Sequence, residues 1–220
     1  ENLKLAGSSD IDGIGNDLAN TIRGNSGANT LTGNGGNDSL KGYGGDDTLN
    51  GGDGSDSLDG GSGNDILNGG NGTDTAIFSA AANQVDLRIT ISQNTGDGND
   101  ILTSIEHVNA GGGDDTVYGS SEANILRGNE GADTLYGYEG NDNLYGGSGA
   151  DDLRGGDGDD RYIIDNINDT ITEGDSKGTD TAYSLASTFT LSDNVENLKL
   201  AGSSDIDGIG NDLANTIRGN

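Results

Sequence analysis

The feature that most constrains this chain is a nine-residue period. From Gly24 it runs GNSGANTLT, GNGGNDSLK, GYGGDDTLN, GGDGSDSLD, GGSGNDILN, GGNGTDTAI. From Ala110 it runs AGGGDDTVY, GSSEANILR, GNEGADTLY, GYEGNDNLY, GGSGADDLR, GGDGDDRYI. A looser copy, TGDGNDILT, begins at Thr95. So short a unit cannot enclose a core of its own. It must stack on its neighbours, which makes the chain a solenoid before any other property is considered.

The first six positions, G-G-x-G-x-D, form a turn, because glycine tolerates the positive φ that other residues resist. The last three, x-U-x, form a short strand with its middle side chain turned inward. Two nonads close one coil of 18 residues. The expected fold is all-β: a parallel β-roll, or β-helix solenoid, with two strands per 18-residue turn and two nonad blocks joined by wider β turns. One inward row reads Leu31, Leu49, Leu67 and faces Leu40, Leu58, Ala76. In the second block Val117, Leu135, Leu153 face Leu126, Leu144, Tyr162.

The sixth position stacks in the same way. Asp38, Asp56 and Asp74 form one ladder and Asp47 and Asp65 another. In the second block the ladders are Asp115, Asp133, Asp151 and Asp142, Asp160. Carboxylates about 4.8 Å apart repel by roughly 3–4 kcal/mol at an effective dielectric near 20. Repeated along both edges, this exceeds what a core one leucine thick on each side supplies. A hard cation between the loops reverses the sign. Calcium suits the donors, because it takes six to eight oxygens in flexible geometry, whereas magnesium demands a tight octahedron and keeps its water.

With these residues in view, the chain resembles the repeats-in-toxin (RTX) family of secreted bacterial proteins, whose nonapeptide is a known calcium-binding β-helix repeat. The resemblance implies a parallel β-roll, several Ca²⁺ ions, folding induced by calcium, and type I secretion of the unfolded chain. The implied metal ligands are Asp38, Asp47, Asp56, Asp65, Asp74, Asp115, Asp133, Asp142, Asp151 and Asp160, with Asp100 of the looser copy. Asn29 and Asn124 stand where aspartate is expected, so they offer an oxygen without a charge and predict weaker or absent sites. Tyr43 and Tyr138 replace the second glycine, with their rings expected outside. The half-motif Gly178-Thr179-Asp180 leaves calcium and a plain turn equally open.

Composition narrows the partners. A formal charge of −28 disfavours nucleic acid. No apolar run is long enough for a membrane span. Without cysteine there is neither a disulfide framework nor a thiolate metal site. No nucleophile–base pair or phosphate loop marks an enzyme. His107, the single histidine, has no second histidine or cysteine to form a metal site and reads as an ordinary strand-edge residue.

A longer repeat encloses the short one. Residues 1–25, ENLKLAGSSDIDGIGNDLANTIRGN, recur unchanged as 196–220, an offset of 195 residues. Residues 1–23 therefore read as the end of a preceding unit and 201–220 as the start of the next. Residues 24–77 and 110–163 are the roll blocks, and 78–109 and 164–200 are irregular β segments through which the stack is expected to continue. In the first segment VDLRITI alternates, predicting a strand with Val85, Leu87, Ile89 and Ile91 on one face. In the second, YIID, DTITE, DTAYS, TFTL and ENLKL predict short strands. The absence of an initiator Met suggests a piece from the interior of something longer.

The resulting expectation is an extracellular calcium-binding structural protein, a segment of a filament, sheath, surface layer or adhesin stalk, contacting tandem neighbours of its own kind. The outer rows Tyr118, Tyr136, Arg154 and Arg127, Tyr145 brace the sheets or face a glycan or cell surface. The alternative is a calcium-dependent secretion and folding module of a secreted enzyme or toxin.

Overall fold

A computed structural model describes residues 1–79, 81–175 and 177–220. Among the described residues there are 25 strands and no helix. The chain divides into two units, Glu1–Asn109 and Ala110–Asn220, each holding one nonad block.

In the first unit, one parallel sheet stacks Asn2–Lys4, Thr21–Arg23, Ser39–Gly44, Ser57–Ser62, Thr75–Ile77 and His107–Asn109. The other stacks Gly13–Ile14, Thr30–Gly35, Thr48–Gly54, Ile66–Gly72 and Asn99–Thr103. The expected register holds: Leu31 pairs with Leu49 and Leu49 with Leu67. Leu40 pairs with Leu58 and Leu58 with Ala76. All six side chains are buried. Burying one such leucine contributes about 1.5–3 kcal/mol, so the core is a sum of equal small steps along the stack.

The segment 78–109 adds a further coil rather than a separate sheet. Leu102 continues the Leu67 row and Val108 continues from Ala76. Within the segment, Gln93–Asn94 runs antiparallel beside Asn99–Thr103. The seven-residue strand expected at VDLRITI is cut to Gln84–Asp86. The carboxylate of Asp86 accepts from the Arg88 backbone N–H at 2.9 Å and pairs with the Arg88 guanidinium at 2.7 Å. That side-chain turn competes with the ladder and ends the strand. Val85 stays buried, while Ile91 is 69 % exposed.

In the second unit one parallel sheet stacks Ile125–Glu130, Asn143–Ser148, Arg161–Ile164, Thr181–Ser184, Asn197–Leu200 and Thr216–Arg218. Opposite lie Thr116–Tyr118, Thr134–Glu139, Asp152–Asp157 and Thr170–Ile171. Thr188–Thr190 pairs with Asp207–Ile209. Each short strand expected after residue 161 is present. The core row continues Leu126, Leu144, Tyr162, Ala182, Leu198, so the stack outlasts the strict nonads.

The turns take the positive φ expected of them. Tyr43 and Tyr138 keep the left-handed conformation of the glycine they replace, at φ 81° and 80°. Their rings lie on the outside, where Tyr138 stacks against Tyr136 at 6.0 Å and Lys41 sits 5.2 Å from the Tyr43 ring. The outer row of the second unit also forms: Tyr118 stacks on Tyr136 at 4.9 Å, and the Arg154 guanidinium covers Tyr136 at 5.0 Å.

Candidate metal centre

Each sixth-position residue of the two blocks immediately precedes a strand, directly after the glycine turn. Its side chain therefore points back into the loop and meets the coil above and below. The backbone N–H of Asp38 donates to Oδ1 of Asp56 at 2.7 Å, and that of Asp56 to Oδ1 of Asp74 at the same distance. Asp47 donates likewise to Asp65, and Asp65 to Asp100 at 2.8 Å. In the second unit the same bond joins Asp115 to Asp133, Asp133 to Asp151, and Asp142 to Asp160.

The other oxygen of these groups is the informative atom. Oδ2 of Asp38, Asp47, Asp56, Asp65, Asp74, Asp133, Asp142, Asp151 and Asp160 is buried without a hydrogen-bond partner among the described residues. Buried polar atoms are rarely left so, because each costs its full desolvation penalty. Each faces the first glycine of its own loop. A Cβ on Gly33, Gly42, Gly51 or Gly137 would overlap that Oδ2 and also the carbonyl oxygen of the glycine one coil on. Carboxylate and carbonyl thus converge on a cradle that glycine alone leaves open. An oxygen-only, anionic donor set of this kind fits a hard divalent cation.

Burial raises the proton affinity of these carboxyls. It pushes Asp47, Asp74, Asp133, Asp142 and Asp151 up to about 6, and Asp65 and Asp160 up to about 7. The backbone N–H bonds work against the rise. Stacked neighbours add to it, Asp100 and Asp47 for Asp65, and Asp142 and Asp180 for Asp160.

The irregular positions depart in an ordered way. Asn29 and Asn124 are in the ladders and donate to Asp47 and Asp142, each at 2.7 Å. Their side-chain oxygens, however, accept the Asn25 and Ser120 N–H of their own loops. Asp100 is also in place, but Thr95 stands where the first glycine should be, and its hydroxyl donates to Asp100 Oδ2. The cradle there is filled by a side chain.

The chain's sequence matches the RTX calcium-binding nonapeptide repeat in four copies, over residues 14–49, 41–76, 109–144 and 127–162, which together span just over half of its length. The chain belongs to this family. RTX repeats bind calcium, and the unpartnered aspartate oxygens of this roll fit that ion on their own chemistry. No curated protein matches the chain.

Several ladder members lie outside the strict nonads. Asn20 precedes Asp38, and Glu106 follows Asp74, whose N–H donates to its Oε2 at 2.8 Å. Asp169 follows Asp151 at 3.1 Å, and its other oxygen accepts from Asp165 and Asn166. Asp180 follows Asp160 at 2.8 Å, and Glu196 follows Asp180 at the same distance. Asp169 falls 18 residues after Asp151, so spacing alone reveals it. Glu106 and Glu196 break both the spacing and the residue type.

Proposed function

We propose that this chain is a structural segment of an extracellular array that folds when calcium becomes available. The nonad aspartates from Asp38 to Asp74 and from Asp115 to Asp160 are read as the ion ligands, with Asp100, Asn29 and Asn124 contributing weakly or not at all. Bound in the cradles, calcium supplies the positive charge that the paired ladders lack.

The residues supply the rest. Glycine keeps each cradle open, the aspartate N–H bonds fix the spacing of successive carboxylates, and the leucine rows hold the coils in register. Where calcium is scarce, buried carboxylates repel one another and the coils stay apart, in a form suited to export. Outside the cell, sites even of the roughly 10⁻⁴–10⁻³ M class fill. In this reading the roll is a scaffold and carries no reaction.

The array part of the proposal is carried by the unchanged recurrence of residues 1–25 as 196–220, an offset of 195 residues. Leu3 and Leu198 are the same residue of the duplicated segment, yet Leu3 is 37 % exposed and Leu198 is 1 % exposed. Ile22 and Ile217 reverse the relation, at 0 % and 45 %. The N-terminal copy is covered by the coil that follows it, and the C-terminal copy by the coil that precedes it. Leu3 and Ile217 are thus buried in the other copy, whereas Ile14 and Ile209, and Leu18 and Leu213, are exposed in both. Mass spectrometry of the native polypeptide tests the array. A mass of several 195-residue units is expected, and a single unit contradicts the array.

A further inference from the structure

One cluster in the second unit does not follow the nonad pattern. In the regular coils, a cradle is lined by an aspartate oxygen and the glycine carbonyl 18 residues beyond its first glycine, as with Gly137, Asp142 and Gly155. Eighteen residues after Gly155 the chain has Glu173 instead of glycine. A Cβ on Gly155 would overlap three side-chain oxygens: Asp160 Oδ2, Glu173 Oε1 and Tyr162 Oη. All three are buried and without a hydrogen-bond partner among the described residues.

The groups are held in this position. Oε2 of Glu173 accepts from the backbone N–H of Gly156 and Gly174, each at 3.3 Å, which turns Oε1 inward. Tyr162 occupies the inward core position next to Leu144 in the stack and is 0 % exposed. Its ring completes the leucine row while its hydroxyl reaches the cradle. Asp180 joins through its Oδ1, which accepts the Asp160 N–H at 2.8 Å. One carboxylate oxygen from each of Asp160, Glu173 and Asp180 lies within 4.8 Å of the others. Lys177 is committed to Asp157 at 2.7 Å, and the guanidinium of Arg161 donates to Tyr183 Oη at 2.8 Å.

We propose that Asp160, Glu173 and Asp180, with Tyr162 Oη, form a further divalent-cation site that closes the carboxylate ladder of the second unit. The nonad pattern supplies neither the glutamate nor the phenol. Oxygens lying within 4.8 Å of one another can be bridged by one ion at a calcium–oxygen distance of about 2.3–2.6 Å. Among the described residues this is the one group of three carboxylates within such reach, so it is the first to fill. It also ties Glu173 and Asp180, which lie beyond the nonads, to the last nonad coil. The inference rests on calcium being the roll's ion, as proposed above.

The test is equilibrium dialysis of calcium against the full chain and its Glu173→Gln and Tyr162→Phe variants, with terbium emission excited through tyrosine as a second readout. Glu173→Gln is expected to bind one ion fewer, with the tightest class weakened by about tenfold or more, because ligand charge sets affinity. Tyr162→Phe, which keeps the ring and removes one oxygen, is expected to lose the emission given by the first equivalent of terbium. A Glu173→Gln protein with the parent's ion number and affinity overturns the site and means that the carboxyls share protons instead. If Glu173→Gln fails to fold in saturating calcium, Tyr162→Phe decides, and unchanged first-equivalent emission overturns the proposal. A parent chain that binds no calcium defeats the nonad reading as well. A parent that binds calcium beside indistinguishable variants defeats only this site.

Discussion

The backbone N–H of Asp56 donates to Oδ1 of Asp74 at 2.7 Å, while Oδ2 of Asp74 is buried with no hydrogen-bond partner among the described residues. One oxygen builds the stack and the other is left for something the polypeptide does not provide. This division of labour recurs along both nonad blocks and underlies the predictions that follow.

The first concerns pH in the presence of a chelator. Aspartate ordinarily titrates near 3.8, but burial pushes Asp47, Asp74, Asp133, Asp142 and Asp151 up to about 6 and Asp65 and Asp160 up to about 7 in the roll. Between about pH 4 and 7 the metal-free roll therefore binds more protons than the open chain. Its stability falls as pH rises through that window and is fully present below it. Chelated protein should show β structure by circular dichroism near pH 4 and lose it towards pH 7. Calcium added near pH 6 should release protons into an unbuffered solution. Metal-free protein that gains β structure as pH rises contradicts the assignment.

The second compares two conversions. Asp142→Asn removes the charge from a cradle oxygen that has no partner and should raise the calcium concentration for half-folding severalfold. Asn29→Asp adds a carboxylate to the ladder where the present amide oxygen accepts the Asn25 N–H at 2.8 Å. It should lower that midpoint and add bound calcium at saturation. Calcium titrations of the two variants should shift in opposite directions.

The third concerns the core. Leu135 is fully buried and lies between Val117 and Leu153 in the stack. Leu135→Ala should cost about 2–5 kcal/mol in saturating calcium, measured by denaturant unfolding. Ile66 is in a strand but points outward and is exposed, so Ile66→Ala should change little.

The strictly periodic part of the molecule was readable in the sequence. A fixed 18-residue step sets the leucine rows and the aspartate ladders together, because one strand start places both. What was not readable came where the step changes. Leu67 pairs with Leu102 and Tyr162 with Ala182, offsets that local spacing does not predict. Glu106 joins its ladder 32 residues after Asp74 and Glu196 joins 16 residues after Asp180, while Glu173 lines a cradle in a glycine position. VDLRITI looked like a strand because alternation reports only apolar period, while the Asp86–Arg88 turn that ends it is a local polar contact. Thr95 shows the same limit: as part of the nonad pattern it is one missing glycine, but its hydroxyl takes the oxygen that the pattern reserves.

The most direct test of the account is a far-UV circular dichroism titration with calcium at neutral pH, starting from chelated protein verified to be metal-free, with magnesium as control. The account predicts a cooperative change from open chain to β structure with calcium and not with magnesium. A metal-free chain that already has the full β spectrum at neutral pH would contradict it, because the roll would then be folding against its own carboxylates without the ion.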